Sequence, residues 1–175
     1  NTVYNSNDNC NAIIETESNK LICGCNSTII PNNCTAISDR AFLGCSLIQT
    51  INVPASVKAI GVAAFENCSL LNSFKIPHGV NVISVHLFKG CVSLSSIEIP
   101  CSVQKIQISA FSGCRSLTHI NIPESVEFID MMAFEGCSSL QSIIIPENVK
   151  CIETKICKGC TNLKQVSFSN SINIF

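Results

Sequence analysis

The chain has 175 residues, 46% of them hydrophobic and 13% charged, with a formal net charge of −1. That balance can bury a core, and it gives no electrostatic case for nucleic acid, for which a basic stripe is expected. Trp is absent and Tyr occurs once, which leaves little aromatic surface for stacking on bases or sugars, and no apolar run approaches the roughly 18 residues that cross a membrane.

The chain opens Asn1-Thr2-Val3-Tyr4, without Met or a signal peptide, and reads as a processed or cut-out piece of a longer protein. Residues 12–16 and 20–23 are two short strand-like runs, and Glu17-Ser18-Asn19 between them reads as a hairpin turn. Residues 27–31 are expected to form a degenerate first strand. Residues 1–30 are therefore expected to make an N-terminal cap, because stacked repeats need covered ends.

From residue 31 the chain is periodic. All six prolines, Pro31, Pro54, Pro77, Pro100, Pro123 and Pro146, keep a step of 23 residues. Cys45, Cys68, Cys91, Cys114, Cys137 and Cys160 keep the same step, as do Phe42, Phe65, Phe88, Phe111 and Phe134. A fixed period of this size means a stacked array. In the unit from Leu94 to Leu117, Ile97 and Ile99 alternate with Ser96 and Glu98, so one pair faces in and the other out. Pro100 ends that strand, since it has no N–H for the next ladder bond. Val103 and Ile106 make a second short strand, and Ala110, Phe111 and Cys114 suit one turn of 3₁₀ or α helix, closed by Gly113. The expected fold is a mainly β repeat solenoid of about six coils over residues 31–175. Each coil should carry parallel strands, a second short strand and a short helical turn. Ile172 and Phe175 fall in apolar slots one step beyond Val149 and Ile152, so the array is expected to stop inside a coil, and that open coil to self-associate.

The outward strand residues make columns. The first reads Gln49, Asn72, Ser95, Thr118, Gln141, Lys164; the second Thr50, Ser73, Ser96, His119, Ser142, Gln165; the third Asn52, Lys75, Glu98, Asn121, Ile144, Ser167. The candidate ligand-binding face is this surface from Gln49 to Ile144. It is polar and nearly uncharged. It lacks the Trp, Tyr and Arg that favour binding hot spots, so binding there would draw on avidity across many repeats.

The unit I-x-x-x-A-F-x-G-C-x-S-L-x-x-I-x-I-P-x-S-V between Ile106 and Val126 resembles the BspA-like leucine-rich repeat family, and Leu94, Ile97 and Ile99 have the LxxLxL form of its strand. The opening Asn9-Cys10-Asn11-Ala12-Ile13-Ile14-Glu15-Thr16, followed by Ile30-Pro31, is also similar to the start of such proteins. The chain departs from the pattern at Cys34 for Val, Asn67 for Gly, and Ile156-Cys157 for Ala-Phe. The resemblance implies a non-catalytic adhesion module of a cell-surface or secreted protein, binding protein or glycan on host cells, matrix or other microbes. An intracellular scaffold or structural spacer is the other reading. No catalytic residue, metal or cofactor is implied.

The thirteen cysteines and three histidines invite other chemistry. Cys23-Gly24-Cys25 and Cys157-Lys158-Gly159-Cys160 lie about five coils apart, roughly 24 Å, too far to share one zinc. Cys157 fills the Phe slot, and the cysteine ladder reads as small apolar core. Cys10, Cys23, Cys25 and Cys34 are the better disulfide partners in an exported protein. His78, His86 and His119 occupy three different slots and do not converge with a nucleophile. Asn26, Asn33 and Asn67 head N-x-S/T sequons, relevant only in a eukaryotic secretory setting.

Overall fold

A computed structural model describes residues 4–6 and 10–169. The N-terminal part holds β1 (Tyr4–Asn5), β2 (Ile13–Glu15) and β3 (Lys20–Cys23). The repeats hold β4 (Ala36–Ile37), β5 (Ala59–Ile60), β6 (Ser73–Lys75), β7 (Val82–Ile83), β8 (Ser96–Glu98), β9 (Lys105–Ile106), β10 (Phe128–Ile129), β11 (Ser142–Ile145), β12 (Cys151–Ile152) and β13 (Gln165–Phe168). Pairing within the repeats is parallel and in register at the 23-residue step, as in Ala36↔Ala59 and Ile106↔Ile129. The chain is a β-solenoid. Ile172 and Phe175, on which the open-coil expectation rests, lie outside the described residues.

The hairpin forms as β2 and β3, antiparallel, with Glu15 opposite Lys20 and Asn19 turning at φ 54°. It is continuous with the solenoid, because β3 pairs in parallel with β4. β1 adds a further antiparallel strand that the sequence pattern did not suggest. Residues 27–31 are not a strand. Ile29 N–H donates to the Cys10 carbonyl at 3.0 Å and the Thr28 hydroxyl to the Asn11 carbonyl at 2.8 Å, so this segment is tied down by isolated bonds while Ile30 is buried.

The expected helical turn is also absent: among the described residues there is no helix. Successive turns take its place, and the hydrogen bonds show why. The N–H groups of Ala41, Leu43 and Cys45 reach back three residues within the coil, whereas those of Arg40, Phe42 and Gly44 cross to Val62, Ala64 and Glu66 at 2.8–2.9 Å. A helix needs consecutive N–H groups to bond within one element; here every second one is committed to the next coil. Two left-handed residues per coil enforce the break. One slot holds Arg40, Ala63, His86, Ser109, Met132 and Lys155, with φ from 53° to 62°. The other holds Gly44, Asn67, Gly90, Gly113, Gly136 and Gly159, with φ from 60° to 77°. Asn67 departs from glycine without breaking the pattern, since Asn tolerates this region better than other side chains. A Cβ on Gly113 would meet only Gly90 backbone at 3.7 Å, which is ordinary contact. Gly113→Ala is therefore expected to cost about 1 kcal/mol, for backbone conformation alone, and Gly113→Asn less, as read from urea midpoints.

Apolar slots stack into ladders. Val57, Val80, Val103 and Val126 are buried, as are Ile60, Ile83, Ile106 and Ile129. The five phenylalanines stack with ring centroids 5.0–6.0 Å apart and planes within 14°. Phe74 wedges edge-on between Phe65 and Phe88. Two side chains knit coils together at their turns. The ladder cysteines donate S–H to the phenylalanine carbonyl one coil back, as Cys91 to Phe65 at 3.0 Å and Cys114 to Phe88 at 3.2 Å. Ser56, Ser102 and Ser125 donate to Cys34, Val80 and Val103 carbonyls at 2.6–2.7 Å. The phenylalanine carbonyls already accept the ladder-cysteine N–H of their own turn, so each S–H adds a second bond to the same oxygen.

Candidate ligand-binding face

The strands of the LxxLxL segment present the polar columns. β6 and β8 set Ser73 beside Ser96 and Lys75 beside Glu98; β11 and β13 set Ser142 beside Gln165 and Ile144 beside Ser167. At residues 50–52 and 119–121 the chain makes no strand. The N–H groups of Asn72, Ser95, Gln141 and Lys164 still reach Gln49, Asn72, Thr118 and Gln141 carbonyls at 2.9–3.1 Å, so the first column stays aligned. The continuous ladder lies instead in the second, two-residue segment, where β7, β9, β10 and β12 form one sheet and β4 and β5 join the sheet of the N-terminal hairpin.

Gln49, Thr50, Asn52, Asn72, Lys75, Ser95, Ser96, Glu98, His119, Asn121, Gln141 and Ile144 are exposed, and Ser73, Thr118 and Ser142 half-buried. Lys75 and Glu98 pair at 2.9 Å with both side chains about 70% exposed, so the pair neutralises the face and adds little stability. Ile144 is the apolar exception. Two shallow grooves run along the end of the strands, where the prolines stop them. One of about 350 Å³ lies among Asn32, Asn52, Pro54, Lys75, Pro77 and His78. The next, about 140 Å³, lies among Lys75, His78, Glu98 and Pro100. They share Lys75 and His78. His78 was not placed on this face by the strand alternation, because it follows Pro77 into the loop; the periodic proline was the available signal.

A second cluster sits on the continuous sheet. The Lys105 ammonium lies 5.0 Å and the Lys150 ammonium 5.9 Å from the Phe128 ring centre, and Lys150 pairs with Glu127 at 2.7 Å. Larger open hollows of about 420 and 470 Å³ lie at the cap, beside Ile13. Among the described residues no three His, Cys, Asp or Glu side chains converge to hold a metal, and no helix is long and apolar enough to cross a membrane.

Among the described residues no two cysteines are joined in a disulfide. Cys10 and Cys34 are buried and donate to Ala12 and Ala36 carbonyls; Cys23 and Cys25 are exposed. Hydrogen bonds from Ser27 and Thr28 lower the Cys25 thiol below its ordinary value. Burial pushes Cys68 and Cys137 up to about 12 and Cys114 well above the ordinary range, which makes these three buried thiols unreactive.

An unbroken stack of 23-residue coils, presenting an extended strand face with only shallow grooves, defines a β-solenoid repeat scaffold. The chain belongs to the BspA-type leucine-rich repeat family, whose repeat region matches it over residues 12–114 and 82–175 in six copies. No curated protein sequence matches it. Among solved structures it is similar to a leucine-rich cell surface protein of Faecalibacterium prausnitzii, at 28% identity and TM-score 0.53, over 85% of this chain and 55% of that one. A leucine-rich repeat protein of Eubacterium ventriosum matches at 18% identity and TM-score 0.71, over 91% and 52%. The pneumococcal vaccine antigen PcpA matches at 23% identity and TM-score 0.59, over 86% and 49%. The last two establish the fold alone. The chain spans about half the length of each of these three. Family and fold together make it a protein-interaction repeat module.

Proposed function

We propose that the chain is a non-catalytic adhesion module of a cell-surface or secreted protein. Its ligand would be protein or glycan on host cells, matrix or other microbes. The observation that carries this reading is the pair of grooves on the strand face, where Asn52, Lys75, His78 and Glu98 gather varied polar groups on adjacent coils. The proline, phenylalanine and cysteine slots repeat one residue type, whereas these columns change from coil to coil. That is how a repeat array acquires a specific surface. The cell-surface relative supports the location. Weak single contacts suit a scaffold that binds by many repeats.

Changing Lys75, Glu98 and His119 together to Ala tests the face. All three are exposed, so stability should move by no more than about 0.5 kcal/mol for each. Attachment to host cells or immobilised matrix should fall. Unchanged attachment by the folded triple variant would remove the strand face as the site. It would favour the Lys105–Phe128–Lys150 cluster, where an aromatic anchor and cations do occur together.

A further inference from the structure

The sixth coil breaks the phenylalanine ladder. Where five coils carry Phe, it carries Cys157, three residues before the ladder cysteine Cys160. The turn is retained: Cys160 N–H donates to the Cys157 carbonyl at 3.1 Å, and Gly159 sits at φ 77°. A positive φ at the third residue of a hydrogen-bonded four-residue turn is the type II pattern, whose end Cα atoms lie within about 7 Å. A disulfide spans Cα separations of about 4.4–6.8 Å, so the turn brings the two residues to bridging range without moving the backbone. The Cys160 S–H points to the Phe134 carbonyl at 3.1 Å, and the backbone turn places Cys157 on the same side of the coil three residues earlier. In the other coils the phenylalanine ring occupies this place, and the ladder thiol has no sulfur partner within its own turn. Both Cys157 and Cys160 are half-buried, whereas Cys137, one coil back, is fully buried.

We propose that Cys157 and Cys160 form a thiol–disulfide redox site, oxidised by low-molecular-weight disulfides of the glutathione type. Cys160 is the attacking residue. Interaction with the neighbouring Cys157 thiol lowers Cys160 below the ordinary value and raises Cys157. The Cys160 thiolate attacks one sulfur of glutathione disulfide, forming a mixed disulfide and expelling one glutathione thiolate, which takes up the proton Cys160 released. Cys157 then loses its proton to water and attacks the Cys160 sulfur. The Cys157–Cys160 bond forms, and the second glutathione leaves and is protonated. The protein dithiol has lost two electrons and two protons, and one glutathione disulfide has become two glutathiones.

Peptide mapping reads this directly, because Lys158 separates the two cysteines. The 175-residue chain is equilibrated with glutathione disulfide, quenched in acid, alkylated after unfolding and cut with trypsin. The expected product is peptide 156–158 linked to peptide 159–164, with no glutathione retained on either. Cys157→Phe restores the residue of the other five coils and should fold. It should yield no linked product and leave Cys160 as a persistent glutathione adduct. The proposal is overturned if peptide 159–164 is joined instead to the peptide carrying Cys137. It is equally overturned if wild-type Cys160 keeps its glutathione, or if both cysteines remain free thiols when exposed Cys23 and Cys25 have reacted.

Discussion

Raising the pH from about 8 to about 10 should unfold this chain under reducing conditions. Cys68, Cys91, Cys114 and Cys137 are fully buried. Burial is the largest cause of their raised thiols, with neighbouring ladder thiols adding to it; Cys68 and Cys137 stand at about 12, and Cys91 and Cys114 are raised as well. In the unfolded chain the same thiols ionise near ~8.5. The folded state therefore binds more protons than the unfolded one above that value, and linkage makes stability fall as pH rises. The contribution is complete below about pH 8.5 and is lost progressively towards the folded values. Each thiol gives about 1.4 kcal/mol per pH unit once its unfolded form is ionised. Four together give about 5–6 kcal/mol per pH unit, comparable with the whole stability of a typical domain. Urea midpoints followed by circular dichroism at pH 7.5, 8.5 and 9.5 should drop modestly between the first two and about three times as far between the second and third. Cys114→Ala should reduce that slope by about a quarter. A midpoint unchanged up to pH 10 would mean that the thiols meet water.

The repeat was legible because its strongest demands fall on residues with one chemistry. Proline ends a strand, phenylalanine fills a large slot and small cysteine fits beneath it, so their common step exposed the stack. The left-handed slot was not legible. Arg40, Ala63, His86, Ser109, Met132 and Lys155 share no side-chain property; their common φ comes from cross-coil hydrogen bonding, which acts on the backbone. For the same reason Ala110, Phe111 and Cys114 suggested a helical turn. Their spacing is right for one, but the alternate N–H groups that would close it belong to the neighbouring coil. The strand roles were also unevenly written. The more hydrophobic LxxLxL segment looked like the main ladder, yet it pairs only as β6 with β8 and β11 with β13, while the sparse second segment pairs more continuously. On the candidate face, period-two alternation sorted Lys75 and Glu98 outward. It could not place His78, whose groove position depends on the path of the loop after Pro77. Nor could it pair Lys105 and Lys150 with Phe128, because those contacts cross three coils.

Phe111→Ala should cost about 3–5 kcal/mol. The ring is fully buried and stacks on Phe88 and Phe134, with centroids 5.6 Å away on both sides. Removing it takes away apolar burial and leaves a void. That void cannot close easily, since Phe88 and Phe134 on either side are held by their own coils and by the S–H bonds that Cys114 and Cys160 donate to their carbonyls at 3.2 and 3.1 Å. Position in the stack matters as well. A repeat array is stabilised by interfaces between nearest neighbours, and Phe111 belongs to two ring–ring interfaces. Phe42 stacks on one ring, Phe65, at 5.0 Å. Its other side packs on Gly24, where an added Cβ would fall within 2.8 Å of the ring atoms. Phe42→Ala should therefore cost less than Phe111→Ala, and the difference should measure the ring–ring interface. Denaturant titration of both variants decides the matter. A loss below about 1 kcal/mol at Phe111 would mean the ladder does not hold the coils together, and equal losses at both positions would mean that the rings contribute by burial alone and not through their stacking.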